Sequence, residues 1–281
     1  MFINNPFAEL SASIPPSVMQ TYVIIMILLV VGGTIFDVVH KQSAKYFFQA
    51  AKKSEDNATR KVSGGEKVSL AAQTTASEIL TSSEFCNPKR RIAHLLGMYG
   101  FVIYLIATIV MVFSYPTATS GTPAIWPALW WIGALMVCVG GYWFWFFIRV
   151  DVASEGHSPF RIVRADLFIL SLLASCTLGL IWAFLQSAGS NVGANLFLGL
   201  YLIASTVLFA GIPWSKFSHM FFKPAAAFQK KVAVANGSMA NLPGLADRTN
   251  PQDRDRHSMD LLKDAPLDMG LGIKREQPHH Y

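Results

Sequence analysis

Charged residues are scarce in this chain of 281 residues. Asp, Glu, Lys and Arg make up 14% of it, against about 25% in soluble domains. Hydrophobic residues reach 52%, and seven Trp, eight Tyr and twenty Phe are present. Aromatic side chains of this kind gather at lipid–water interfaces. The composition excludes an ordinary soluble domain and predicts an all-α integral membrane protein, built as a helical bundle.

Cysteine is also rare. The chain has three, Cys86, Cys138 and Cys176, and no CxxC pair, which argues against a cysteine-ligated iron–sulfur cluster or a zinc ribbon. Cys138 and Cys176 fall in apolar segments, where we expect them to be small core residues. The first seventeen residues contain no Lys or Arg, so the basic n-region of a cleavable signal peptide is missing.

Five apolar segments are long enough to cross a hydrocarbon core about 30 Å thick. They are residues 18–39, 92–115, 124–148, 165–185 and 196–222, with a kink expected at Pro213 in the last. We therefore predict a periplasmic lead (1–17), a five-helix transmembrane domain (18–223) and a flexible cytoplasmic tail (224–281). No internal repeat is visible, which disfavours an inverted-repeat transporter.

The loop 41–91 contains two short helical patterns. KQSAKYFFQAAKK predicts an amphipathic helix continuing from the first span, VSGGEK predicts a break, and VSLAAQTTASEIL predicts a second helix. The loop alone is too small for a packed domain. Aromatic clusters at both ends of the third span, among them Trp130 and Trp131, resemble interface belts.

The distribution of basic residues predicts the orientation. All 23 Lys and Arg lie in the loop 41–91, the loop 149–164 and the chain from Lys216 onward. The lead and the turns 116–125 and 186–195 contain none. The positive-inside rule then places the N-terminus outside and the C-terminus inside. The net charge of +6 therefore reflects topology and not nucleic-acid binding.

Two histidines occupy matching positions near the predicted cytoplasmic ends of two spans. His94 follows Arg91 by three residues, and His219 precedes Lys223 by four. A histidine about one turn inside a membrane helix is costly unless something uses it. Two neutral imidazoles at one depth can ligate a b-type haem, and cationic side chains can pair with its propionates. We expect those cations to be Arg90, Arg91, Lys216 and Lys223, with Gly97 and Gly100 leaving room for the porphyrin.

Other interpretations of these histidines stay open. An interfacial histidine can instead cap a helix or bond a carbonyl group. His40, between Asp37 and Lys41 at the end of the first span, competes with either histidine as a ligand or orients one of them. His157, in the charged loop 149–164, is expected to be a surface residue.

Two carboxylates, Asp37 and Asp166, lie just inside the first and fourth spans. They could take up protons or bond a quinol, or they could form helix-terminal ion pairs with Lys41 and Arg164. A quinone site near Tyr99, Trp214 and Asp166 is the corresponding hypothesis. We assign no catalytic residue.

The predicted outer side has no histidine and, apart from Glu9, no acidic residue. A protein that transfers electrons across the membrane needs redox cofactors near both faces. One haem near the cytoplasmic face therefore fits better than a stacked pair.

Three stretches carry a resemblance: RRIAHLLGMYGFVIYLIAT, RVDVASEGHSPFRIVRADLF and GIPWSKFSHMFFKP. Over residues 1 to about 230, the chain resembles the membrane anchor that accompanies dissimilatory adenylylsulfate reductase in sulfur-oxidising bacteria (AprM-type). It is more distantly similar to the haem b subunits of nitrate reductase and of heterodisulfide-reductase-like complexes. In those relatives an early-helix histidine and a last-helix histidine of the SKFxH…P kind are haem ligands, which here are His94 and His219.

The resemblance implies a soluble partner, a flavin and iron–sulfur enzyme that oxidises AMP and sulfite to adenylylsulfate. Its electrons would pass through this chain to membrane quinone. The lack of a second histidine pair toward the outer face is a departure from the relatives with two haems. The alternative is a haem-free scaffold that tethers a cytoplasmic partner.

Overall fold

The computed structural model of the chain describes residues 3–85, 87–149, 160, 162–214 and 219–242. Its elements there are helices, and five of them are long and apolar enough to cross a membrane, with mean hydropathies between 1.7 and 2.5. Backbone groups in lipid must be satisfied within the segment, and a helix achieves this. The predicted all-α bundle with five spans is confirmed.

The five spans follow one another as antiparallel neighbours. They are α2 (Pro16–His40), α5 (Pro88–Ser114), α6 (Ile125–Trp143, continued by a π-helical turn Phe144–Ile148), α7 (Leu167–Ser187) and α8 (Asn191–Ala210). The pairs α5–α6 and α7–α8 pack most extensively, whereas α2 lies at the edge of the bundle and is the least buried span. We call the end of the bundle near residues 1–15 the lead side and the opposite end the basic side.

Glycines permit the close packing of α5 on α6. A Cβ on Gly100 would lie 2.7 Å from the carbonyl oxygen of Gly133, and one on Gly140 would lie 2.6 Å from that of Ala93. Small residues at such contacts let two backbones approach in a membrane, where packing drives helix association.

The lead folds into the bundle. Its short helix α1 (Pro6–Leu10) is capped by the Asn5 side chain, which accepts hydrogen bonds from the amides of Phe7 and Ala8. Asn5 also donates to the carbonyl of Tyr115 at 2.9 Å, and Gln186 donates to that of Pro6 at 2.7 Å. Phe7 and Leu10 are each 4% exposed. Helix α1 of the lead is therefore largely buried against the lead side of the bundle.

Phe7 contacts an aromatic core. Its ring meets those of Trp130 and Trp182 at 6.0 and 5.3 Å. Trp130 is fully buried and donates to the Thr108 hydroxyl at 3.0 Å. The interface belt expected at Trp130 and Trp131 is wrong for these two residues, because both are buried within the protein. Cys138 and Cys176 are buried, as predicted.

The basic side carries a layer of three helices, which are α3 (Ser43–Asp56), α4 (Gly64–Thr74, continued by a π-helical turn Thr75–Leu80) and α9 (His219–Ala235). Asn236, at the end of α9, donates to the carbonyl and hydroxyl of Ser54 at 3.0 Å each. The backbone amides of Thr59 and Arg60 donate hydrogen bonds to the backbone carbonyl of Asn236. The loop 41–91 thus obtains from α9 the packing partner that it lacks by itself.

Two details of this layer differ from the sequence interpretation. Gln42 has a φ of 53°, so a left-handed turn separates α3 from α2. Ser63 caps α4 by accepting from the amide of Glu66 at 3.2 Å. The VSGGEK stretch is therefore a helix start and not a break.

The fifth span ends earlier than predicted. Helix α8 stops at Ala210, and a 3₁₀ turn follows at Ile212–Trp214. Pro213 has no amide hydrogen, and its ring clashes with the carbonyl four residues before it, which favours a helix end at this point. The chain resumes as α9 at His219 and stays helical to Ala235, inside the segment predicted as a flexible tail. Residues 243–281 of that predicted tail lie outside the described residues.

Candidate functional site

Residues 80–85 fold against the beginning of α5, and we call this segment the clasp. The Tyr99 hydroxyl donates to the carbonyl of Leu80 at 2.6 Å, and Arg91 Nε donates to that of Thr81 at 2.7 Å. Asn87 caps α5 by accepting from the amide of Lys89, and Pro88 begins the helix. These bonds hold the clasp beside residues 91–99 of the span.

His94 lies under the clasp. Its Nδ1 is 3.1 Å from the Ser82 hydroxyl, and its ring centroid is 4.8 Å from that of Phe85. The Ser82 hydroxyl is also 3.5 Å from the carbonyl of Ile79. If Ser82 donates to that carbonyl, it accepts from Nδ1–H, and in the neutral form of the imidazole the lone pair is then on Nε2.

Ser82 adopts an uncommon conformation to make this contact. Its φ is +47°, and it is 1% exposed. A non-glycine residue in the left-handed region costs of order 1 kcal/mol and persists only where its surroundings enforce it. The hydrogen bonds of the clasp to Arg91 and Tyr99 supply that constraint.

Helix α9 reaches the other side of the clasp. Lys223 forms an ion pair with Glu84, and its Nζ lies 5.3 Å from the centre of the Phe85 ring. Farther along α9, Lys231 donates to the Ser77 hydroxyl at 2.7 Å. His219 is the first residue of this helix, one turn before Lys223. The clasp therefore links His94 to the turn that follows His219.

The sequence-based reason for pairing the two histidines, a matched depth on two membrane spans, does not agree with the structure. His219 was placed inside the fifth span, but that span ends nine residues earlier, at Ala210. The connection between them is instead the clasp. The His219 side chain, Lys216 and His157 lie outside the described part of the chain.

The predicted propionate partners are engaged within the protein. Arg91 bonds the clasp carbonyl of Thr81, and Lys223 pairs with Glu84. Arg90 lies in the first turn of α5 and is half-buried.

The two glycines expected to leave room for a porphyrin behave differently. Gly97 has no atom within 4 Å of the position that a Cβ would take. Gly100 packs directly on α6 at Gly133. Only Gly97 fits the expectation.

The competitor His40 lies at the exposed end of α2, where its ring stacks on that of Phe36 at 5.4 Å. Asp37 is 2% exposed and forms an ion pair with Lys41. The ion-pair interpretation of Asp37 therefore agrees with the structure.

Asp166 pairs with Arg149 and not with Arg164. Arg149 Nε donates to Asp166 Oδ1 at 3.0 Å, the guanidinium makes a second bond to Oδ2, and the Val163 amide donates to Oδ2 at 2.9 Å. The two side chains are only 9% and 11% exposed. This bidentate pair joins the ends of α6 and α7. Of the other residues proposed for a quinone site, Tyr99 bonds the clasp, and Trp214 is 65% exposed at the break after α8.

Among the described residues, no group of three or more His, Cys, Asp or Glu side chains could hold a metal ion. A haem needs only two axial ligands from the protein. Of the proposed pair, the structure describes the His94 side chain.

Sequence reasoning missed Ser82 and Glu84. The Asn87–Pro88 dipeptide marks the start of α5 by a known capping pattern. No sequence signal reports that the clasp folds back over that helix.

Fold and site together define a multi-pass α-helical membrane protein with a helical layer on its basic side. No known family model, curated protein or solved structure matches the chain.

Proposed function

We propose that the chain is a membrane anchor and electron-transfer subunit. It passes electrons between a cytoplasmic redox enzyme and membrane quinone, with one b-type haem held by His94 and His219. The observation that supports this most is the hydrogen bond of His94 to Ser82, under a clasp that also contacts the first turns of α9.

The residues present fit such a group in their chemistry. A metal-binding histidine almost always donates its other ring N–H to a neighbouring acceptor, which fixes the tautomer and the ring orientation. Ser82 is placed to accept that bond, and the open space beside Gly97 lies one turn farther along α5. When bound, a haem carries single electrons. The chain itself orients the imidazole.

The charge of the basic side supports a soluble partner. Residues 41–91 and 219–242 contain thirteen Lys and Arg but five Asp and Glu. Four of the acids, Glu55, Glu66, Glu78 and Glu84, already pair with cations of the same side. The remaining positive surface suits a partner with an acidic face, because complementary charge steers association. The resemblance names adenylylsulfate reductase as that partner and a bacterial inner membrane as the location.

The test is a reduced-minus-oxidised absorbance spectrum of the purified protein, expressed with haem supplied, followed by addition of a quinone to the reduced form. We expect a haem α-band that disappears as the quinone is reduced. Full protein recovery without an α-band would rule out the proposal.

A haem-free scaffold is the second candidate. It is favoured by the finding that Arg91 and Lys223, proposed as propionate partners, already bond Thr81 and Glu84. In that case His94→Ala and His219→Ala variants would still recruit the soluble enzyme to membranes, and no quinone reduction would be measurable.

A further inference from the structure

Helix α3 leaves the membrane directly from the first span. Only Lys41 and Gln42 separate it from the end of α2. Lys41 is tied to the buried Asp37 inside that span, and the left-handed conformation of Gln42 turns the chain sharply. The first turn of α3 is therefore held at the level of the lipid headgroups.

One face of α3 packs on α9 and the opposite face is bare. Ser54 is 3% exposed and bonds Asn236, and the Phe47 carbonyl accepts a bond from Gln229 at 3.4 Å. On the other face, Tyr46 and Phe48 are 62% and 67% exposed.

Three lysines lie between these two aromatic residues. At 3.6 residues per turn, the side chains from Phe48 to Tyr46 spread over about 160° of the helix circumference. The order around the helix is Phe48, Lys52, Lys45, Lys53 and Tyr46, and all five are exposed. We call this set the lysine–aromatic face. Asp56, in the last turn, is the one acidic side chain within it.

We infer that the lysine–aromatic face binds the anionic phospholipid headgroups of the bilayer that the same chain spans. Ammonium groups attract phosphates at an anionic membrane surface. Tyr and Phe rings are stable at headgroup depth. Because α3 follows directly on the membrane span α2, this face lies next to the bilayer surface. A soluble partner would have to bind it at that surface. This inference does not depend on haem binding.

The experiment uses the full chain in nanodiscs of equal parts phosphatidylcholine and phosphatidylglycerol. A photo-crosslinking phenylalanine analogue replaces Phe48, and in a matched control it replaces Val68, which is 70% exposed on α4. After illumination, mass spectrometry identifies what each position has captured. We expect several-fold more lipid adduct at position 48 than at 68, with phosphatidylglycerol enriched over its share of the bilayer.

Charge variants test the headgroup preference. Combining Lys45→Gln, Lys52→Gln and Lys53→Gln should reduce phosphatidylglycerol capture to its molar share, and raising the salt concentration should act in the same direction. The control combines Lys61→Gln, Lys89→Gln and Lys230→Gln, three exposed lysines outside this face, and should leave the enrichment unchanged. The salt series needs no lysine substitution in α3, so its result can be interpreted even if the lysine variants misfold.

Three outcomes would overturn the inference. The first is capture of a polypeptide (a partner or a second copy) in place of lipid at position 48. The second is equal lipid capture at position 68. The third is capture of phosphatidylglycerol only at its molar share when all three lysines of the face are present.

Discussion

Ser82 is the residue on which the chemistry of His94 depends most closely. Its backbone has a positive φ, its side chain is almost fully buried, and its hydroxyl lies 3.1 Å from His94 Nδ1. The clasp therefore holds one ring nitrogen of this histidine and, with it, the orientation of the whole ring.

Replacing this hydroxyl tests its role. We expect Ser82→Ala to weaken haem binding by about tenfold to a hundredfold, because the ring loses the acceptor that fixes its tautomer. The measurement is haem titration of the apoprotein, with the position of the α-band as a second readout. Ser83→Ala, an exposed neighbour, is the control. Equal affinity in the two variants would show that Ser82 does not position His94.

The Arg149–Asp166 pair is a well-buried ion pair that joins two spans. Removal of one partner leaves a buried charge uncompensated, so Arg149→Met should lower the free energy of unfolding by about 3–5 kcal/mol. Adding Asp166→Leu should recover much of that loss. In the control, Arg60→Met breaks an exposed pair with Glu66 and should cost less than about 1 kcal/mol. Additive effects of the two substitutions at 149 and 166 would contradict this interpretation.

Residue-scale partners were the hardest to predict. Asp166 lies two residues from Arg164, which made that cation the obvious partner, yet the backbone turn at Val163 directs the carboxylate to Arg149 on another span. Asp37 and Lys41 are four apart on one helix, where side chains meet by geometry alone. Local spacing therefore predicts the Asp37–Lys41 pair but not the Arg149–Asp166 pair.

Among the elements, the α5–α6 hairpin distinguishes two glycines of α5, Gly97 and Gly100, that the sequence presents alike. Gly100→Ala should lower the free energy of unfolding by about 1–3 kcal/mol, since its methyl would overlap the Gly133 carbonyl. Gly97→Ala meets open space, and its better helix propensity should leave stability unchanged or raise it by up to about 1 kcal/mol. Equal destabilisation by both variants would be inconsistent with the packing described.

The type and number of the membrane spans followed from hydropathy, whereas helix ends and packing did not. The apolar run after Ala210 reads as more membrane helix, but the backbone chemistry of Pro213 ends α8 before it. The lead is polar in composition, but the Asn5 side chain caps α1 and donates to the Tyr115 carbonyl. Phe7 and Leu10 are buried. Hydropathy averages over such short segments and cannot report them.

For the whole molecule, charge asymmetry predicts which side faces the cytoplasm. In a Cys86→Ser background, where the remaining cysteines are buried, we expect Ala118→Cys to react with a membrane-impermeant maleimide on spheroplasts. Lys61→Cys should react only after permeabilisation. The reverse labelling pattern would invert the topology and place His94 at the periplasmic face.

The candidate site joins three regions that are far apart in the chain: the clasp, the start of α5 and α9. The sequence predicted His94 and His219 as a pair because both were placed just inside membrane spans, but His219 is not in the fifth span. Long-range folding of a polar loop brought the regions together, and no local pattern encodes it.

The most direct test of the electron-transfer proposal is the haem content of four histidine variants, taken from reduced-minus-oxidised spectra of equal amounts of purified protein. One haem per chain is predicted for the unsubstituted protein, for His40→Ala and for His157→Ala, and none for His94→Ala or His219→Ala. Retention of the α-band in either of the last two variants, or its loss in His40→Ala, would contradict the proposed ligand pair.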